Sequence, residues 1–184
     1  MNEQNLESAA EFAATPDAFQ RLWTPHRLVY IQHGQQPSES ECPFCIGPTR
    51  DDQESLIVRR GQHCFVVLNL FPYNSGHLLV CPYRHVDTYD RATTDEVQEM
   101  ALLTQQAMQV LGAASRAHGF NIGMNQGEVA GAGIAGHLHQ HIVPRWRNDA
   151  NFFPIIAETK ALPKLLGEVR DEVASSWDRL FGAR

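Results

Sequence analysis

The stretch His137-Leu138-His139-Gln140-His141 places a histidine at every second position. On a β-strand, side chains at i, i+2 and i+4 point to one face, with neighbours roughly 6.6–7 Å apart. The pattern therefore predicts a strand over 138–143 that presents a row of imidazoles. Such a row suits a metal ion or a nucleophilic histidine with two supporting neighbours. A row of solvated surface histidines is the third interpretation.

A glycine-rich loop, NQGEVAGAGIAG at 125–136, directly precedes the first histidine of this row. Its glycines are Gly127, Gly131, Gly133 and Gly136. The backbone N–H groups of such a loop can form a nest for phosphate without any net basic charge. Together with the three imidazoles, the loop favours phosphate chemistry over the other interpretations.

Five strands and two longer helices are predicted along the chain. Apolar runs and turn signals place the strands at 56–60, 64–70, 77–81, 121–125 and 138–143. A helix is predicted over 93–118, with a capping box of Thr93 and Glu96 at its start and Gly119 at its end. A last helix is predicted from Pro163 onward. Strands in series around one long helix indicate an α+β fold with a five-stranded antiparallel sheet and a C-terminal helix.

Length and composition limit the classes of protein that the chain can represent. Its 184 residues suit one domain, predicted over 17–184 and preceded by a flexible arm over 1–16. The formal net charge of −6 argues against nucleic acid or an anionic membrane surface as a partner. Because the N-terminus lacks a signal-peptide pattern and four cysteines are too few for a disulfide scaffold, a cytoplasmic protein is expected.

Cys42 and Cys45 form a second motif that suggests metal chemistry. Their CxxC spacing is that of half a tetrahedral zinc site. A redox pair is an alternative, although no thioredoxin-like βαβ pattern surrounds the motif, and a pair without function is another.

Residues 137–143 resemble the signature of the histidine triad (HIT) superfamily, in which three histidines alternate with apolar residues. Gln140 departs from that pattern. The resemblance extends to NLFPYNSGHLLV at 69–80, NQG at 125–127 and PRW at 144–146. Within the superfamily the chain is most similar to the bacterial diadenosine tetraphosphate phosphorylase-like branch. The segments that carry this similarity are LWTPHR at 22–27, YRHV at 83–86, HGFNIG at 118–123 and PRWRNDANF at 144–152.

The resemblance implies an HIT-like fold and an enzyme that acts on dinucleoside polyphosphates through a nucleotidyl-histidine intermediate. It implies His139 as the nucleophile, His141 as the group that bonds a phosphate or leaving oxygen, and His77 as the orienting residue beneath the triad. His137 completes the catalytic group. The implied substrate contacts are Asn69 to the ribose, together with Asn125, Gly127, Gly131, Gly133 and Trp146.

The group that attacks the intermediate distinguishes the possible reactions. Inorganic phosphate makes the protein a phosphorylase, which the branch resemblance favours, and water makes it a hydrolase. The loop carries Ala132-Gly133-Ile134 where the best-known hydrolases and phosphoramidases have a Gln-Ser or Gln-Thr pair. Backbone N–H groups are therefore the expected phosphate donors. A non-catalytic nucleotide-binding module and an enzyme with a catalytic zinc on the histidine row are the rival hypotheses.

The resemblance also implies a structural metal site and a partner. The expected ligands of a structural zinc are Cys42, Cys45, His85 and His137, and no organic cofactor is expected. A homodimer that joins two sheets edge to edge is typical of the family, and the exposed edge of a lone sheet favours it.

Overall fold

The computed structural model describes residues 38–147, 149 and 164–182. These residues all belong to a unit that spans 35–184. Its centre is a single antiparallel sheet with the strand order β1-β2-β3-β5-β4. The strands are β1 (Ile57–Arg60), β2 (Cys64–Leu68), β3 (Leu78–Pro82), β4 (Gly119–Gly123) and β5 (Gln140–Arg145). The prediction of an α+β fold with a five-stranded antiparallel sheet is confirmed.

Two helices cover one face of this sheet. Helix α2 (Thr94–Ser115) packs on β2, β3 and β5, and helix α3 (Leu166–Phe181) packs on β1 and against α2. The core between helices and sheet includes Val66, Val80, Leu103, Val110 and Trp177, all of which are buried. Among the described residues, no helix combines the length and the apolar character needed to cross a membrane.

The opposite face of the sheet carries a second apolar cluster. It consists of Ile57, Phe65, Val67, Leu79 and Cys81. A short helix, α1 (Pro43–Ile46), lies directly after Cys42 and packs Phe44 against this cluster. Side chains of a strand alternate between faces, so β2 is buried on both sides, which accounts for its unbroken apolar sequence.

Both ends of α2 show how local sequence signals operate. The predicted capping box is confirmed, since the Thr93 hydroxyl accepts from the Glu96 N–H and the Glu96 carboxylate accepts from the Thr93 N–H. The predicted helix end is wrong. Arg116 takes the left-handed conformation with φ 54° and its N–H bonds to the Gly112 carbonyl, so the helix stops at Ser115. Gly119 instead opens β4, two residues earlier than predicted.

The start of β5 also differs from the sequence prediction. The ladder between β3 and β5 begins at the Val80 and Gln140 pair, whereas a start at 138 was predicted. Continuing the ladder would bring Pro82 opposite Leu138, and proline has no N–H to donate. The Leu138 N–H bonds to the Val86 carbonyl instead, at 2.6 Å.

Several predictions concern residues outside the described ranges. The arm over 1–16, the domain start at 17 and the helix start at Pro163 stay predictions. The described part of the last helix begins at Leu166.

Candidate active site and metal cluster

The triad histidines lie on the sheet face opposite α2. His141 is on β5, and His137 and His139 immediately precede that strand. Their neighbours point the other way, since Leu138 joins the core beneath the helix and Gln140 donates to the Thr104 hydroxyl on α2 at 2.6 Å. The alternation expected of a strand is therefore present from 137 onward, although regular pairing begins only at 140.

His139 is held in one tautomer by the backbone of its own segment. Its Nδ1 lies 2.7 Å from the His137 carbonyl oxygen, so Nδ1 carries the proton and donates it. The lone pair is left on Nε2. The side chain is only 6% exposed, and this burial lowers the pKa of His139 although the hydrogen bond opposes the shift. A neutral imidazole with its lone pair on Nε2 is a competent nucleophile near pH 7.

His77 and His141 form a second ordered pair. The Tyr73 N–H donates to His77 Nδ1 at 3.1 Å, and the Asn69 amide nitrogen is 3.3 Å from the same atom. Because Nδ1 accepts, the proton of neutral His77 is on Nε2, which lies 2.9 Å from His141 Nδ1. His141 Nδ1 therefore accepts, and its own proton is on Nε2. His141 is set up as a hydrogen-bond donor beside the nucleophile.

Most of the predicted substrate contacts lie on segments that lead into the strands of these histidines. Asn125, Gly127, Gly131 and Gly133 lie in the loop between β4 and β5 that leads into the triad. Gly127 and Gly131 have φ values of 78° and 79°, which favour glycine at both positions. Asn69 follows β2 and contacts His77. Their contacts with substrate stay predictions.

Trp146 contacts the C-terminal end of the long helix. Its indole N–H donates to the Ser115 carbonyl at 2.9 Å, and this bond satisfies a carbonyl at the C-terminal end of α2. The indole thereby ties the segment after β5 to the helix. A role for Trp146 in substrate binding stays a prediction.

The four predicted metal ligands come together in one cluster. The ligand atoms of Cys42, Cys45, His85 and His137 all lie within 4.8 Å of one another. The Cys45 Sγ is 3.2 Å from His85 Nδ1 and 3.4 Å from His137 Nδ1, and the Cys42 Sγ is also 3.4 Å from His137 Nδ1. These residues are able to hold a metal ion.

The surroundings of the cluster suit metal binding. His137 Nε2 donates to the Pro82 carbonyl at 2.9 Å, which turns the Nδ1 lone pair toward the sulfurs, as ligating histidines commonly require. Burial, with Cys42 as a second cause, raises the pKa of Cys45 to about 12. Burial also lowers the pKa of His137 to about 4. A neutral imidazole is ready to coordinate, and a bound cation supplies the charge that favours the thiolates.

Two aromatic rings frame the histidines, and neither was predicted from the sequence. Phe44, between the two cysteines, has its ring centroid 5.4 Å from that of His137 and 5.1 Å from that of His139. Tyr73 stacks on His141 at 5.6 Å with an interplanar angle of 14°. The available signals were an aromatic residue inside a CxxC motif and a tyrosine four positions before His77.

Comparison with known proteins places this geometry in a family. The family model described as HIT domain matches residues 50–148, which is more than half of the chain. The chain belongs to the HIT domain family. A relative called AP-4-A phosphorylase, from Mycobacterium tuberculosis, is 45% identical over 169 residues, covering 89% of this chain and 87% of the relative. The resemblance to the HIT superfamily and to its phosphorylase-like branch is confirmed, and so is the prediction of an HIT-family enzyme.

Other HIT proteins are more distant. The bifunctional bis(5'-adenosyl)-triphosphatase/adenylylsulfatase of Arabidopsis thaliana is 27% identical and covers 77% of the chain and 81% of its own length. A zinc-bound histidine triad family protein from Mycobacterium smegmatis superposes with a TM-score of 0.65 at 23% identity, covering 80% of the chain and 100% of that protein. A hypothetical histidine triad nucleotide-binding protein from Sulfolobus tokodaii superposes with a TM-score of 0.61 at 26% identity, covering 77% of the chain and 97% of that protein. These likenesses confirm the HIT-like fold.

Proposed function

We propose that the chain is a phosphorylase of dinucleoside polyphosphates of the diadenosine tetraphosphate type. The observation that carries the proposal is the ordered pair of imidazoles, with the His139 lone pair on Nε2 and the His141 proton on Nε2. The 45% identical relative called AP-4-A phosphorylase supports the choice of substrate class and of phosphate as the acceptor.

In the first step, Nε2 of His139 attacks the α-phosphorus of the substrate. The N–P bond forms as the bond from the α-phosphorus to the bridging oxygen breaks, and that oxygen leaves with the electron pair as part of ATP. The His141 ring, with its centroid 5.0 Å from that of His139, donates a hydrogen bond to the leaving oxygen. His77 keeps His141 in the donating tautomer.

In the second step, an oxygen of inorganic phosphate attacks the phosphorus of the nucleotidyl-histidine. The N–P bond breaks, its electrons return to Nε2 of His139, and ADP is released. The overall reaction converts diadenosine tetraphosphate and phosphate into ADP and ATP. Attack by water instead gives AMP and ATP, which is the hydrolase alternative. In either case the loop at 125–136 offers backbone N–H groups to the phosphates. The net charge of −6 belongs to the whole chain and does not prevent a local anion site of this kind.

We propose that the metal in the cluster is a structural zinc. Two thiolates and two imidazoles are a common donor set of closed tetrahedral zinc sites, whereas a catalytic site keeps one position open for water or substrate. Four protein ligands leave no such position, so the nucleophile His139 stays outside the metal's coordination. A metal bound here holds the His137 ring and thereby steadies the carbonyl that accepts from His139.

We also propose a cytoplasmic homodimer that joins two sheets at β4. This strand is at the edge of the described sheet, and the Ile122 side chain on it is 45% exposed. Unpaired backbone groups and an exposed apolar side chain on an edge strand suit pairing with a second copy. Nucleic acid and membranes are not expected partners, given the acidic charge balance.

Product analysis tests the reaction. The protein is incubated with diadenosine tetraphosphate, with and without inorganic phosphate, and the nucleotides are separated and quantified. We expect ADP and ATP in equal amounts only when phosphate is present, no turnover by His139→Asn, and ordinary turnover by the control variant His118→Asn, whose exposed histidine lies after α2. AMP and ATP without phosphate would instead establish a hydrolase. Binding without any turnover would leave only the non-catalytic module.

A further inference from the structure

Phe44 connects the metal cluster with the nucleophile. It lies on α1 between Cys42 and Cys45, is half-buried and packs on the apolar cluster beneath the histidine face. Its ring meets His137 edge-on, with an interplanar angle of 67°, and lies tilted by 41° against His139 at a centroid distance of 5.1 Å. One side chain thus contacts both a metal-cluster histidine and the attacking histidine.

We propose that Phe44 is a positioning residue for the nucleophile, whose ring sets the tilt of the His139 imidazole. This inference rests on the proposed function, in which His139 attacks phosphorus. The hydrogen bond from Nδ1 to the His137 carbonyl fixes the direction of one N–H, and the ring can still tilt about that bond. The Phe44 ring on one side, at a centroid distance of 5.1 Å, and the His141 ring on another, at 5.0 Å, restrict that tilt.

The tilt matters because Nε2 must be in line with the bond that breaks. A misplacement of about 1 Å at a reacting atom can cost about 10²-fold in rate. Phe44 is therefore expected to act on the chemical step, with little effect on the affinity for the substrate.

The two cysteines determine where Phe44 lies. Helix α1 has only four residues, and its N–H groups at Cys45 and Ile46 bond to the Cys42 carbonyl at 3.0 and 2.9 Å. A helix this short has little stability of its own. Its position depends on what its side chains contact, which for Cys42 and Cys45 is the cluster with His85 and His137. The CxxC motif therefore holds the Phe44 ring in contact with the nucleophile His139.

The test measures a single turnover on His139. Enzyme in excess is mixed with diadenosine tetraphosphate without phosphate, quenched in alkali, and the nucleotidyl-His139 adduct is quantified by mass spectrometry over time. Compared with the wild type, we expect Phe44→Ala to form the adduct about 10- to 100-fold more slowly and Phe44→Leu about 10-fold more slowly. The KM should change less than about twofold, and Phe44→Tyr, which keeps the ring, should stay within about threefold of the wild-type rate.

Phe65→Leu is the matched control. Phe65 belongs to the apolar cluster on which Phe44 packs, and its ring lies tilted against that of Tyr83 at a centroid distance of 5.3 Å. We expect it to lower the unfolding temperature at least as much as Phe44→Leu, because Phe65 is the more buried of the two, and to keep the wild-type rate of adduct formation. Zinc content, measured on every variant by elemental mass spectrometry, should stay at the wild-type value.

The outcomes separate this proposal from the proposed function. If Phe44→Ala and Phe44→Leu form the adduct at the wild-type rate, or if Phe65→Leu slows it equally, Phe44 is an ordinary core residue and the positioning role is wrong. A parallel loss of zinc and of the rate of adduct formation in the Phe44 variants also overturns it, because the effect then arises from the metal cluster. If the wild type forms no adduct, the proposed function fails and this inference fails with it.

Discussion

At the scale of single residues, one acceptor atom sets the protonation pattern of the His77 and His141 pair. Nδ1 of His77 accepts from the Tyr73 N–H, which leaves the His77 proton for His141. We predict that His77→Ala lowers kcat about 10²-fold with KM nearly unchanged, because His141 loses the partner that keeps its donating tautomer. Steady-state kinetics with diadenosine tetraphosphate measure both constants. His77→Gln, whose amide can donate to His141, should recover part of the loss in kcat. An effect confined to KM would contradict the role of His77 in holding the His141 tautomer.

The residue that departs from the HIT pattern, Gln140, has its own partner. Its amide donates to the Thr104 hydroxyl at 2.6 Å, and that hydroxyl donates to the Met100 carbonyl at 2.7 Å. We predict that Thr104→Val lowers the free energy of unfolding by about 1–2 kcal/mol, because it leaves the Gln140 amide without this acceptor. The double variant Thr104→Val with Gln140→Leu should regain most of the lost free energy of unfolding.

Urea unfolding of the two single variants and the double variant gives the coupling energy. We expect about 1 kcal/mol between the two positions. Losses that simply add would show that Gln140 and Thr104 act independently.

The chemical roles of the site residues stay predictions, but the sequence located one class of them, whose signal lies in residue type and spacing. The histidines at 137, 139 and 141 and the CxxC pair fall into this class, and the resemblance supplied His77 and His85. Phe44 and Thr104 were missed, because their roles depend on which side chains the fold brings opposite them. An aromatic ring and a hydroxyl on a helix are ordinary core features until their neighbours are known.

At the scale of secondary structure elements, a boundary was predicted correctly where a local sequence signal sets it. The start of α2 depends on two residues three positions apart, and it was correct. Its end depends on Arg116, which adopts the left-handed conformation, and an arginine gives no sequence signal for that conformation. The late start of β5 follows from Pro82 on a neighbouring strand, which no inspection of residues 137–143 alone could indicate.

Helix α2 also holds the turn between β1 and β2 through one carboxylate. Glu99 accepts backbone N–H groups from Gln62, His63 and Cys64 at 2.7, 2.5 and 2.8 Å. Burial disfavours the charged form, but these three donors outweigh it and lower the pKa of Glu99. A carboxylate whose folded pKa is lowered stabilises the fold above its unfolded value of about 4.3, and that contribution is lost as the pH falls below it.

We therefore predict that Glu99→Gln lowers the free energy of unfolding by about 1–3 kcal/mol at pH 7, because an amide cannot accept all three donors. The difference from the wild type should shrink as the pH falls below about 4. Urea unfolding at several pH values measures both effects, with the exposed Glu54→Gln as the control. A difference that stays constant with pH would exclude the charge of Glu99 as the cause.

At the scale of the whole molecule, the two faces of the sheet carry different parts of the protein. The larger core, with α2 and α3, is on one face, and the triad histidines, Cys42, Cys45 and the smaller apolar cluster are on the other. The metal cluster joins residues 42 and 45, which are outside the larger core, to residues 85 and 137, whose neighbours Val86 and Leu138 belong to that core. A metal at that place is expected to stabilise the catalytic face without being needed for the fold as a whole.

We predict that removal of zinc by a chelator leaves the protein folded and lowers its unfolding temperature by about 10 °C. Preferential binding to the folded state at about 1,000 times Kd contributes about 4 kcal/mol, and 1 kcal/mol corresponds to about 2–4 °C at this chain length. Differential scanning calorimetry with measured zinc content tests this, and added zinc should restore the wild-type value. Cys45→Ser should behave like the chelated protein, whereas Cys64→Ala, a buried cysteine outside the cluster, should be destabilised with its zinc retained. Turnover that stops at once on chelation, while the unfolding temperature stays unchanged, would show instead that the metal takes part in the chemistry.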